Sequence, residues 1–213
     1  MRGEFNGLRA LIMKDNGSAY YVHCFAHQLQ LVIVAVAKKN DAISDFFDMI
    51  SLLLNVAGAS CKRKDMIRQS QQDRVKKAIG SGQISTGTGL NQEQSLQRPG
   101  DTRWCSHYKT LKSLNSLFPS VIEVLEYVEK HGPNDKKRRQ ARGLLDYLKD
   151  FDFVFHLHMM LMILGYANSL SLCLQRKGQD ILATMLEVEL TKQKFQKMEM
   201  MDGILYCKKY IPL

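Results

Sequence analysis

Residues 118–148 read FPSVIEVLEYVEKHGPNDKKRRQARGLLDYL, and this stretch decides the fold class. Phe118, Val121, Ile122, Leu125 and Val128 recur at three- and four-residue intervals, the period of a helix with one apolar face. Gly132-Pro133 closes that helix. Asn134 is the expected cap of the next one, because its side-chain oxygen can accept from the free amides of a first turn. That second helix is expected to start in the basic run, pass through Leu144, Leu145, Leu148 and Phe151, and continue into the apolar run 153–172.

The same period recurs on both sides. Phe5, Leu8, Leu11 and Ile12 predict a short helix over 4–14, ended by Asn16-Gly17. From His27 to Lys39 the pattern is apolar on all sides, which predicts a helix buried on most faces. Asp41 is the expected cap of a helix over 42–57, and Gly58 its stop. The segment 61–79 predicts an exposed basic helix, with apolar contacts only at Met66, Ile67, Val75 and Ile79. Gly178 breaks the long apolar run, after which Ile181, Met185, Val188 and Phe195 mark a last amphipathic helix. Only Tyr20 to Cys24 is aromatic and β-branched enough for a strand. The expected fold is therefore predominantly α, with one short strand near 20–24, a loop over 80–100 and a tail over 201–213. A lone strand leaves its own backbone donors and acceptors unpaired, so its sheet partners are expected to come from another chain or another copy.

Composition narrows the function classes. Apolar residues make up 45% of the 213, which excludes a largely disordered chain. The five cysteines are odd in number and widely spaced, a pattern of reducing compartments rather than of a disulfide framework. The polar opening MRGEFNG predicts no secretory leader, so the expected location is nuclear or cytoplasmic. The apolar runs 29–37 and 151–167 fall short of the roughly 20 residues that cross a bilayer, and are expected to be buried helices. No phosphate-binding glycine loop and no paired-carboxylate arrangement stands out.

The charge is uneven. Lys and Arg exceed Asp and Glu by 30 to 21, a net +9. Segment 61–79 holds Lys62, Arg63, Lys64, Arg68, Arg74, Lys76 and Lys77 against two acids, and segment 134–142 holds Lys136, Lys137, Arg138, Arg139 and Arg142 against one. These two patches account for the whole excess. They could contact phosphates, displacing condensed counterions, or form solvated helix faces.

Two clusters carry chemistry-bearing side chains. Cys24 and His27, beside His23, admit a zinc set completed by Cys105 and His107, a nucleophilic thiol, or a strand-to-helix junction in which Cys24 packs as a small apolar group. Trp104, the one tryptophan, admits a core anchor or a base-stacking wedge beside Arg103. His156 and His158, two apart, fall on different faces of a helix and form no ligand pair.

Taken in order, MRGEFNGL at 1–8, HCFAHQLQL at 23–31, DTRWCSHY at 101–108 and the run 151–180 resemble plant proteins derived from hAT-superfamily transposases, including those labelled zinc-finger MYM-type-like or TTF-type. The resemblance implies a partial ribonuclease-H-like α/β core over 1–40, a helical insertion domain over 41–200 and a tail over 201–213. It places Cys24 and His27 at the start of a helix after a core strand. It places Arg103 and Trp104 in the insertion, where the pair supports the DNA hairpin step. The family's active site is three acids on two divalent ions such as Mg²⁺. One acid belongs well upstream, one just before Met1 and one beyond Leu213, so none maps onto these residues and Glu4 is not a substitute.

The implied function is a truncated, catalytically inactive remnant with no cofactor of its own. It would keep nucleic-acid affinity through Lys62, Arg63, Lys64, Arg68, Lys76, Lys77, Lys136, Lys137, Arg138 and Arg139. The alternative is a DNA-binding or protein-interaction module retained from a transposon. Expected partners are DNA and a full-length relative, with no membrane and no small-molecule substrate.

Overall fold

The computed structural model describes residues 7–21, 24–58, 60–83, 94–100, 104–178 and 180–200. Among them the chain forms eight helices: α1 (Leu8–Asp15), α2 (Phe25–Ala37), α3 (Asp41–Gly58), α4 (Cys61–Gly80), α5 (Trp104–His131), α6 (Asp135–Leu148), α7 (Phe151–Cys173) and α8 (Ile181–Met200). The protein is predominantly helical, as the periodicity predicts.

The centre is α5. It packs against α3, α4, α6 and α7. Leu111, Leu114, Leu117, Val121, Leu125 and Val128 step along its length at intervals of three and four and are all buried. Pro119 sits inside this helix. The carbonyl deprived of its usual amide belongs to Asn115, on the exposed face, where water can serve it. Around α5 the core takes Phe46, Ile50 and Leu53 from α3, Leu144 and Leu148 from α6, and Phe153, Leu157, Met160 and Leu164 from α7. Phe153 joins three of these helices, its ring 5.8 Å from Phe46, 6.1 Å from Phe118 and 5.3 Å from Tyr147.

Several expectations change at the element boundaries. No strand occurs among the described residues. Tyr20, Tyr21 and Cys24 are irregular, while Val22 and His23 lie outside the described set. The physical reason is the one the sequence raises: with no second strand beside it, an extended segment has no ladder to join. The helix over 42–57 is capped by Asn40, whose Oδ1 accepts from the Ile43 amide at 3.1 Å, while Asp41 lies inside the first turn. The run from the second basic patch into 153–172 is not continuous. It breaks at Lys149-Asp150, where the Asp150 carboxylate accepts from the Asp152 amide and starts α7 anew.

α2 is less buried than its composition predicts. Only Ala26 and Ala37 are buried, and Phe25, Leu31, Val32 and Val36 are exposed, because α2 packs chiefly on α5 and α7 through one side. α7 is long and apolar enough to cross a membrane by length and composition, and in this fold it packs against α2, α5 and α8. Gly178, in the left-handed region at φ +72°, turns the chain between α7 and α8. On α8 the face toward α7 is Thr184, Val188, Thr191 and Phe195, so Ile181 and Met185 are exposed instead of buried.

Of the loop expected over 80–100, Gly80 is the last residue of α4, and the chain is irregular at 81–83 and 94–100. Residues 84–93 and the tail 201–213 lie outside the described set.

Candidate nucleic-acid interface

The first basic helix starts against the usual charge preference. Ser60 caps α4, its Oγ accepting from the Arg63 amide at 3.2 Å and from Arg63 Nε at 3.2 Å. The first turn contains no acid and instead carries Lys62 and Arg63, with Lys64 next. The unpaired amides of a helix start already carry partial positive charge, so cations there raise the local potential further. The second basic helix starts in the expected way. Asn134 Oδ1 accepts from the Lys137 amide at 2.9 Å, and Asp135 occupies the first turn of α6 before Lys136 to Arg139.

Tertiary contacts place both starts at the same end of α5. Lys62 Nζ donates to the Tyr127 hydroxyl at 2.6 Å, and the Tyr127 ring stacks on His131 at 4.8 Å. Further along, the Ser70 hydroxyl donates to Glu123 and lies 2.9 Å from the Ser120 hydroxyl, from which it can accept, and Arg74 pairs with Glu123. α4 therefore runs antiparallel to α5, with its start beside the C-terminal turns of α5. α6 leaves that same end through Gly132-Pro133, and Arg138 Nη1 reaches back to the Gly132 carbonyl at 2.9 Å while its other nitrogen binds Asp135. Tyr127 and Gly132 are separated by about 8 Å of helix rise. The starts of both basic helices thus lie at one end of α5.

The same contacts sort the cations. Arg138 is committed to the α5–α6 corner, Arg74 to Glu123, Arg68 to Asp65 at 2.7 Å, Arg63 to Ser60 and Lys62 to Tyr127. Lys64, Lys136, Lys137 and Arg139 make no ion pair among the described residues, and Lys64, Lys136 and Arg139 are exposed. Lys76 and Lys77 are exposed too, but they lie about 20 Å from Lys62 along α4. Glu123 is the exposed acid that Ser70 and Arg74 both bind at this seam. The Ser70 hydrogen bond first, and the Arg74 guanidinium next, hold its carboxyl below the usual carboxylate range, against the opposing effect of burial.

Sequence reading missed one cation. Segment 94–98 returns against the start of α4, and a groove of about 420 Å³ there is lined by Leu54, Lys64, Asp65, Arg68, Leu96 and Arg98 among others. Arg98 sits in a Gln- and Ser-rich stretch with no period, its nearest charges Glu93, Asp101 and Arg103 of mixed sign, so no basic run marks it.

The other singled-out residues do not join this end. Cys24 caps α2 without a side-chain hydrogen bond and is exposed, so it is not the packed small apolar group of the junction reading. His27 is exposed in the first turn of α2. His107 packs edge-on against Phe47 at 5.0 Å, and burial pushes its imidazole down. Among the described residues no three His, Cys, Asp or Glu side chains converge as a metal site would require. Trp104 begins α5, about 35 Å of helix from Tyr127. Its side chain, that of Cys105 and all of Arg103 lie outside the described set. No family model matches the chain, and no solved structure matches its fold.

Proposed function

We propose that this chain is a non-catalytic, hAT-transposase-derived helical module that binds nucleic acid through the starts of α4 and α6. The observation that carries the reading is the placing of both basic helix starts at one end of α5, with Lys64, Lys136, Lys137 and Arg139 left without acidic partners among the described residues. A polyanion there meets side-chain cations and helix-start amides together. Backbone contacts of this kind position a duplex or a strand without reading its bases.

The core-fragment part of the reading is supported by α2. Its exposed Phe25, Val32 and Val36 form the apolar stripe that a helix lays on a sheet, and no sheet stands opposite among the described residues. On this reading Cys24 and His27 are structural remnants, and Arg103 and Trp104 belong to an insertion retained without its chemistry. The three metal-binding acids of the family have no counterpart in these residues, so the module is proposed to act on DNA without cutting it, in the nucleus or cytoplasm.

Fluorescence anisotropy with a labelled duplex over a range of salt tests the binding. The expected log-affinity against log-salt slope is several units, about 0.9 per phosphate neutralised. Joint replacement of Lys64, Lys136 and Arg139 by Glu is expected to weaken binding by about tenfold or more for every sequence tried. No binding at low salt, or binding indifferent to salt, ends the proposal. Nicking of a duplex in Mg²⁺ or Mn²⁺ that persists through rigorous purification would overturn its non-catalytic part.

A further inference from the structure

The groove at the start of α4 has two walls that are held separately. Cys61, Lys64, Asp65 and Arg68 recur at intervals of three and four and share the face of α4 turned to the groove, while Lys62 and Ser70 bond to α5. The second wall is irregular backbone, yet it is tied down. The Gln97 amide donates to Ser113 Oγ at 3.2 Å, the Gly100 amide donates to Ser106 Oγ at 2.9 Å, and Leu96 packs against the core. Leu54 and Ile67, both buried, close the groove from below. The volume, about 420 Å³, is that of a small-molecule cleft. Its charges do not balance. Arg68 is bound to Asp65 at 2.7 Å, the one acid among the described lining residues. Lys64 and Arg98 line the same groove, both exposed and neither in an ion pair among the described residues.

We propose that this groove binds a phosphate monoester with an aliphatic body. Charge complementarity selects the head. Two unmatched cations from separate segments suit one group of close to two negative charges, which a phosphate monoester carries at neutral pH and a carboxylate does not. Arg98 offers its planar fork to two phosphate oxygens, and Lys64 offers a point charge. The lining selects the body. Leu54, Ile67 and Leu96 are aliphatic, as are the stems of Lys64 and Arg98. No aromatic ring is among the described lining residues, so a nucleic-acid base would find nothing there to stack on. The inference goes beyond the nucleic-acid reading. Lys64 enters both, but neither this ligand nor its test involves a strand.

Isothermal titration calorimetry of the full chain with octyl phosphate, inorganic phosphate and octanol tests the site. Octyl phosphate is expected to bind about tenfold tighter than either of the others, or more, because only it engages both the cations and the apolar floor. Arg98→Ala and Lys64→Ala are each expected to weaken it about tenfold, the loss of one charge-assisted contact. Both residues are exposed, so helicity by circular dichroism should be unchanged. Cys61 serves as a local probe. It is a free, exposed thiol lining the groove, whereas Cys24, also free and exposed, lies at the start of α2. Octyl phosphate should slow the alkylation of Cys61, followed by peptide mass, and leave that of Cys24 unchanged. No binding up to about 1 mM overturns the proposal, as does inorganic phosphate that binds equally well, since the apolar floor then contributes nothing. Binding that ignores both substitutions, or that shields Cys24 as much as Cys61, overturns it too, because another apolar face then holds the ligand. Capture by vesicles containing phosphatidic acid, without binding of dissolved octyl phosphate, also overturns it, since the head is then met on a membrane surface and not in the groove.

Discussion

Arg138 shows how one side chain changes role once its neighbours are known. In sequence it is one of five cations in nine residues. In the fold it closes the α5–α6 corner by binding the Gly132 carbonyl and Asp135. Gly132 is required at that corner, because an added Cβ would lie 2.5 Å from the Val128 carbonyl oxygen. Gly132→Ala is therefore expected to destabilise the protein by about 1–3 kcal/mol, the cost of a forced backbone shift. Arg138→Ala is expected to cost about 1 kcal/mol, since its bonds are partly solvent-exposed. Urea midpoints of the two variants check the order.

Titratable residues make a second prediction at this scale. Burial pushes the imidazoles of His107 and His158 below their usual 6.5, so the unfolded chain binds protons first as pH falls below that value. Their contribution to stability is therefore lost as pH drops from 6.5 through their folded values. Glu123 is depressed below 4.5 by Ser70 and Arg74, so its contribution is present above 4.5 and is lost lower still, as pH falls through its folded value. Urea unfolding from pH 7.5 to 3 should show two declines. Glu123→Gln should flatten only the lower one, and replacing both histidines by Gln only the upper.

Among the elements, α4 is the one whose sequence works against its own stability. A Ser cap is commonly joined by Glu three residues on, which returns a hydrogen bond to the cap amide. Here that position is Arg63. Arg63→Glu completes the capping box and complements the helix dipole, and is expected to raise the melting temperature by about 2 °C. On the proposed function it should weaken DNA binding at the same time. A fall in both stability and binding would show that Arg63 is held for its contact with Ser60 instead. α6 is capped in the ordinary way, and Asn134→Ala is expected to cost about 1 kcal/mol, read from the urea midpoint.

At the scale of the whole molecule, one core joins α3 to α7 around α5, while α1 has no buried residue and α8 packs chiefly on α7. Local unfolding follows buried contact, so deuterium exchange is expected to be fastest in α1, intermediate in α8 and slowest in the middle of α5. Equal protection of α1 and α5 would contradict this ordering.

Most helices were legible because a helix is made of contacts three and four residues apart, and Phe118, Val121, Ile122, Leu125 and Val128 display that spacing directly. The Asn134 cap was legible for the same reason, being local. The strand near Tyr20, the all-round burial of α2 and the buried side of α8 were not, since each depends on what lies opposite. The sequence by itself determined the helices, the placing of the net charge in two segments and the apolar stripes. Only the tertiary structure decided that the two basic starts lie at one end of α5, that Arg74 and Lys62 are tied to α5 while Lys64, Lys136 and Arg139 stay open among the described residues, and that Leu182 and Leu186 on α8 are exposed. The ties of Lys62 to Tyr127 and of Arg74 to Glu123 join residues about 50 to 65 positions apart. Periodicity along a chain carries no information at that distance, and it is packing against α5 that supplies it.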